Sequence, residues 1–142
     1  MKLSDVIKSK GNAVVTLSPD ASVADLVALM AEHNIGAVVV SADGHHIDGI
    51  VSERDVVRGL AASGHGIVDA TVRELMTGEV VTGTPEDPIE ETAHVMTDKR
   101  VRHIPIVVNG ELAALVSIGD VVKYRIDQLT DERNHLLGYL HT

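Results

Sequence analysis

Two heptapeptides decide how this chain folds: Val51-Ser52-Glu53-Arg54-Asp55-Val56-Val57 and, 65 residues further on, Val116-Ser117-Ile118-Gly119-Asp120-Val121-Val122. Each closes a β-branched apolar run with Ser, places Asp three residues later and then resumes an apolar pattern. Working outward, an offset of 66 lays Val15-Thr16-Leu17-Ser18-Pro19 over Val81-Thr82-Gly83-Thr84-Pro85. The same offset carries Val23 to Ile89, Met30 to Met96 and Ile35 to Val101, so one residue is lost in the second hairpin. Self-similarity at a fixed period is the mark of a repeat. The duplication covers almost the whole chain.

Each copy reads as strand, helix, strand, strand, helix. Ser18-Pro19 and Thr84-Pro85 read as helix starts, with a hydroxyl N-cap and Pro in the first turn, where its missing N–H costs nothing. Thr84-x-x-Asp87 approximates a capping box. The helices that follow are amphipathic through Val23, Leu26, Val27 and Met30, and through Ile89, Ala93 and Met96, so both methionines belong to the core. Short β-branched runs come next, Ala37–Val40 with Ile47–Val51, then Ile104–Val108 with Leu112–Val116. Ala42-Asp43-Gly44 and Asn109-Gly110 separate them, and Asn-Gly is a strong two-residue hairpin signal. A second helix begins at Ser52 and at Ser117.

One copy alone would leave a sheet face and two helix stripes in water. The expected fold is therefore α/β (α+β): two β-α-β-β-α repeats packed sheet to sheet about a pseudo-twofold axis, with two equivalent clefts. The first repeat takes residues 1–60, a linker 61–76 with a short helix at Thr71–Met76, the second repeat 77–125. A helical extension fills 126–142. Its apolar positions, Ile126, Leu129, Leu136, Leu137 and Leu140, continue the spacing of Val121 and Tyr124 and suit a partner subunit.

Composition narrows the function. Twelve Lys and Arg against 21 Asp and Glu give a formal charge of −9, a balance that argues against nucleic acid, since binding phosphates needs a basic surface. One basic stretch, Lys99-Arg100-Val101-Arg102-His103, leaves room for a small anion. There is no Cys, and no apolar run approaches the roughly 20 residues of a membrane helix, so a cytoplasmic protein is expected. Phosphate-binding, nucleophile-elbow and zinc-protease motifs are all missing. His45-His46 beside Asp43 lack a third ligand nearby, so neither a metal site nor catalysis is expected.

The segments Gly49–Asp55 and Ala114–Asp120, with Val101-Arg102-His103-Ile104-Pro105-Ile106, resemble the strand-to-helix signature and Pro-containing strand of cystathionine β-synthase (CBS) domains. The resemblance spans roughly residues 10–125 in tandem, the arrangement called a Bateman module. The first repeat departs from it in having Val39 where the second has Pro105. It implies a non-catalytic sensor of cellular energy or redox state that binds AMP, ADP, ATP, S-adenosylmethionine or NAD(H) between the repeats, AMP first. It also implies a homodimer and action in trans on a further, unknown protein partner.

The physical reasons stand beside that resemblance. A carboxylate can accept both hydroxyls of a ribose, each charge-assisted bond contributing roughly 1.5–3 kcal/mol, and Asp55 and Asp120 are candidates. Ser52 and Ser117 can bond ribose or phosphate at a helix N-terminus, where free N–H groups and the dipole favour an anion. Arg54 serves the first motif; Gly119, Arg102 and His103 serve the second. By resemblance, adenine would lie on Asn12, Ile35 and Gly36 in one cleft and on Gly78 and Val101 in the other. Ser-x-x-Asp can also be a cap only, and the competing reading is an interaction module with vestigial, empty clefts.

Overall fold

The computed structural model describes residues 1–11 and 13–141. Asn12, one of the proposed adenine contacts, lies outside the described residues. The elements run α1 (Leu3–Lys10), β1 (Thr16–Leu17), α2 (Val23–His33), β2 (Ala37–Val40), β3 (Gly49–Ser52), α3 (Glu53–Ser63), a 3-10 turn (Gly64–Asp69) and α4 (Val72–Leu75). The second half follows with α5 (Ile89–Asp98), β4 (His103–Val108), β5 (Glu111–Ser117) and α6 (Ile118–Leu140).

The strands form two sheets. In the first, β1 lies parallel to β2 and β2 antiparallel to β3; in the second, β4 and β5 pair antiparallel. The counterpart of β1 in the second half is reduced to a single parallel bridge between Gly83 and Ile106. Asn109 and Gly110 both take positive φ, 53° and 80°, the pair of left-handed residues that a type I′ hairpin needs.

One expectation is corrected. Neither Ser18-Pro19 nor Thr84-Pro85 starts a helix. The helix N-caps are Ser22 and Pro88, one turn later, with Ser22 Oγ accepting the Asp25 N–H at 3.0 Å. The earlier hydroxyls close tight turns instead: Asp20 N–H donates to Ser18 Oγ, and Thr84 N–H and Oγ1 both donate to Asp87. Hydroxyl-plus-carboxylate spacing satisfies a turn as well as a helix end, and the pattern alone does not separate the two.

The apolar residues gather into two cores. Leu26, Met30, Val38, Val40, Val51 and Val72 form the first; Leu3, Val6, Ile89, Met96, Ile104, Ile106, Ala114, Val116 and Val121 form the second. The leading helices cross over: α1, at the start of the chain, completes the second core, and α4, in the connector, completes the first. The backbone follows suit. Leu3 and Ser4 donate to the carbonyls of Asp87 and Pro85, while Val72 and Arg73 donate to those of Ala21 and Pro19, the matching positions one repeat earlier. Burying each Leu or Val contributes roughly 1.5–3 kcal/mol. Val39 on β2 and Pro105 on β4, matched across the repeat, are also buried, on the strand faces turned away from these cores.

Candidate functional site

The two Ser-x-x-Asp motifs begin α3 and α6 as reciprocal caps. Ser52 N–H donates to Asp55 Oδ2 at 2.8 Å, and Ser117 N–H donates to Asp120 Oδ2 at 2.9 Å. Asp120 N–H returns a bond to Ser117 Oγ at 3.1 Å, whereas Ser52 Oγ donates to Asp55 Oδ2. Each motif is anchored to the loop before β2 or β4 by a matching main-chain bond, Glu53 N–H to Gly36 O and Ile118 N–H to Arg102 O. Those loops leave α2 and α5 through left-handed residues, Asn34 (φ 52°) and Arg100 (φ 54°), the usual way to end a helix and turn the chain.

Beyond this point the two copies diverge. At β3, the Thr77 main chain pairs with Ile50 in both directions, N–H to O at 2.9 and 3.0 Å, and Met76 lies against Gly49. Leu115 on β5 matches Ile50, but its carbonyl accepts a side chain: Lys10 Nζ at 2.8 Å. The same ammonium donates to Asp120 Oδ2 at 2.5 Å. A docked main chain in one half is thus replaced in the other by a long side chain at the end of α1.

A cavity of about 300 Å³ opens beside that side chain. Its walls come from both repeats: Val14 and Val15, the turn Asn34-Ile35-Gly36, then His103, Ser117 and Asp120, with Lys10 at the side. Gly36 keeps it open, because a Cβ there would stand 2.6 Å from Glu53 Oε1 and 3.9 Å from His103 Cε1. Burial would raise the Asp120 carboxyl, but bonds from Lys10 and the Ser117 N–H, with the Lys10 charge, outweigh it and hold the group below the usual carboxylate range. Burial pushes the His103 imidazole down, so it is neutral at pH 7. The fixed cation of the cleft is therefore Lys10, which sequence reading missed: nothing in the repeat pattern marks a residue in the stretch before β1 that has no counterpart in the second copy.

The cleft gathers Ile35, Gly36, His103, Ser117 and Asp120 from the sequence candidates. Others fall elsewhere. Arg102 and Gly119 line a separate hollow along α6, Val101 packs on the second core, and Arg54 and Gly78 are exposed. The 43–46 turn is structural: Asp43 Oδ1 accepts the N–H groups of His45 and His46, and Oδ2 meets His46 Nδ1 at 2.6 Å. These bonds hold the Asp43 carboxyl well below, and raise His46 above, their ordinary ranges. Among the described residues no cluster of metal-ligating side chains forms, and no helix is long and apolar enough to cross a membrane.

The family described as CBS domain matches residues 3–62 and again 72–127. The chain belongs to the CBS-domain family. This CBS pair is 36% identical to the mitochondrial CBS domain-containing protein CBSX3 of Arabidopsis thaliana, over 97% of this chain and 71% of that one. Its fold is that of the CBS-domain protein ATU1752 from Agrobacterium tumefaciens, with TM-score 0.85 and 40% identity over 88% of this chain and 99% of that one. At 19% identity and TM-score 0.79, the fold also matches the CBS domain pair of MJ0100, covering 90% of this chain and 98% of that one. That protein was solved in complex with 5′-methylthioadenosine and S-adenosyl-L-methionine.

Proposed function

We propose that this CBS pair is a non-catalytic regulatory sensor that takes one adenine nucleotide, AMP before NAD(H), ATP or ADP, in the cleft between its repeats. The observation that carries the reading is the 300 Å³ cavity in which one carboxylate, one hydroxyl and one ammonium converge. Asp120 keeps Oδ1 for a ribose diol, and Ser117 sits beside it at the α6 N-terminus. Lys10 exchanges the Asp120 carboxylate for a ligand phosphate. Ile35 and the Asn34–Ala37 main chain supply an apolar wall and peptide groups for adenine, and neutral His103 donates or accepts without adding charge. A volume at the lower end of ligand pockets favours a mononucleotide. The adenosine ligands of the MJ0100 pair support the same class of ligand here. The signal passes to a separate protein in the cytoplasm, and the module acts as a homodimer.

Thermal unfolding with each nucleotide tests this, because a ligand of the folded state adds RT ln(1 + [L]/Kd) to stability. AMP raises the midpoint. Stability indifferent to AMP, NAD(H), ATP and ADP at millimolar concentration would leave the interaction-module reading in its place.

A further inference from the structure

His103 opens β4, and its imidazole lines the cleft between the repeats together with Lys10, Ser117 and Asp120. The point that a Cβ on Gly36 would occupy lies 3.9 Å from His103 Cε1 and 2.6 Å from Glu53 Oε1. The ring thus feels a carboxylate from each repeat, Glu53 at the start of α3 and Asp120 in the first turn of α6. Two cations oppose them, Lys10 from α1 and the neighbouring Arg102. The turn Asn34-Ile35-Gly36, the wall beside the ring, brings no ionisable group. His103 is half-buried, and among the described residues its ring nitrogens have no hydrogen-bond partner. Histidine is the one side chain whose ordinary pKa lets it change charge near neutrality, so this ring is a proton acceptor held open to the cleft.

We infer that His103 couples the cleft to pH: a phosphate-bearing ligand brings a proton onto this ring, and unphosphorylated adenosine does not. This coupling rests on the nucleotide reading above and makes the cleft's choice between nucleotide and nucleoside depend on acidity. In the empty cleft, burial together with the Lys10 and Arg102 charges outweighs the two carboxylates, and the ring stays neutral at pH 7. A phosphate changes both sides of that balance. It adds negative charge to the cavity, and it draws the Lys10 ammonium away from Asp120 into a pair of its own. Nearby negative charge favours the protonated imidazole. Ligand and proton therefore stabilise each other, and by reciprocity a falling pH tightens the complex. Asp120 does not compete for this proton, because a carboxyl protonates only at far lower pH than an imidazole.

Calorimetric titration of AMP and of adenosine at pH 7.5 and pH 6, with the native chain and with His103→Gln, tests it. The AMP phosphate also titrates in this range, with a pKa of about 6, but it does so alike for both chains. On acidification the preference for AMP over adenosine rises about three- to fivefold more in the native chain than in His103→Gln, as follows from a His103 pKa raised by about one on binding. A second readout needs no variant. The His103 ring signals, followed by NMR against pH, titrate at higher pH with AMP bound than without, and adenosine leaves them in place. Equal pH dependence in the two chains, or a His103 titration that AMP does not move, would overturn the coupling and leave the nucleotide reading standing. Absence of AMP binding at both pH values would remove the two together.

Discussion

Lys10 Nζ stands 2.5 Å from Asp120 Oδ2 and 2.8 Å from Leu115 O, across 110 residues of sequence, so one ammonium at the end of the first helix closes over the cap of the last. The pair is partly open to solvent, with side-chain exposures of 35% and 24%, which limits its contribution to stability to about 1 kcal/mol or less. In the proposed function its weight falls on the ligand.

Lys10→Gln is expected to weaken AMP by about 10- to 100-fold, the range of one lost charge-assisted bond, and to leave adenosine, which has no phosphate, almost unchanged. Calorimetric titration of both ligands measures the difference. Equal losses for nucleoside and nucleotide would remove Lys10 from the phosphate.

The two acids separate capping from binding. Asp55→Ala and Asp120→Ala each lose a reciprocal cap and are expected to cost about 1 kcal/mol by denaturant unfolding. Only Asp120→Ala abolishes the AMP-induced rise in unfolding temperature. If Asp55→Ala abolishes it as well, the asymmetry of the two halves does not govern binding.

Gly36→Val puts a branched side chain where a Cβ already comes within 2.6 Å of Glu53 Oε1. The Glu53 carboxylate is the far end of an exposed side chain and can swing away, so the fold survives and the cleft narrows. The variant unfolds close to the native chain and shows no midpoint shift with AMP; retained binding would put adenine elsewhere.

His103 makes stability depend on pH. Its folded pKa lies below the ordinary 6.5, so the unfolded chain takes up the proton first and stability rises with pH through this range. The contribution is complete above about 6.5 and is lost as pH falls through the folded value. Asp120, lowered from 3.8, adds a second loss at more acid pH, of the same sign. His103→Gln is expected to flatten the slope of unfolding free energy between pH 7 and 5, measured by urea titration at each pH.

Much of the fold was legible because the repeat reports the same physics twice. Val51 and Val116, Met30 and Met96, Ser52 and Ser117 occupy equivalent places, and agreement between copies separates pattern from accident. The helix starts at Ser18-Pro19 and Thr84-Pro85 were misread because a hydroxyl followed by an acid caps a turn as well as a helix. In the candidate cleft, Ser117 and Asp120 could be named from the motif and His103 from the basic stretch, while Ile35 and Gly36 could be named only from the family resemblance. Lys10 could not, because it enters from an unmatched extension of α1, where symmetry offers no guide. The divergence of the two clefts was equally hidden, since it rests on one carbonyl, Leu115, accepting a side chain where Ile50 accepts main chain.

The exchange of leading helices between the cores sets the order of assembly. During synthesis α1 emerges well before residues 85–116 and has nothing to rest on until they exist; Leu3 waits for Asp87. The second half therefore matures only after a loop spanning the entire first half closes, a slow, long-range step. A protease nick between residues 64 and 70 would yield two fragments that recover native structure only together, each carrying the clasp the other lacks.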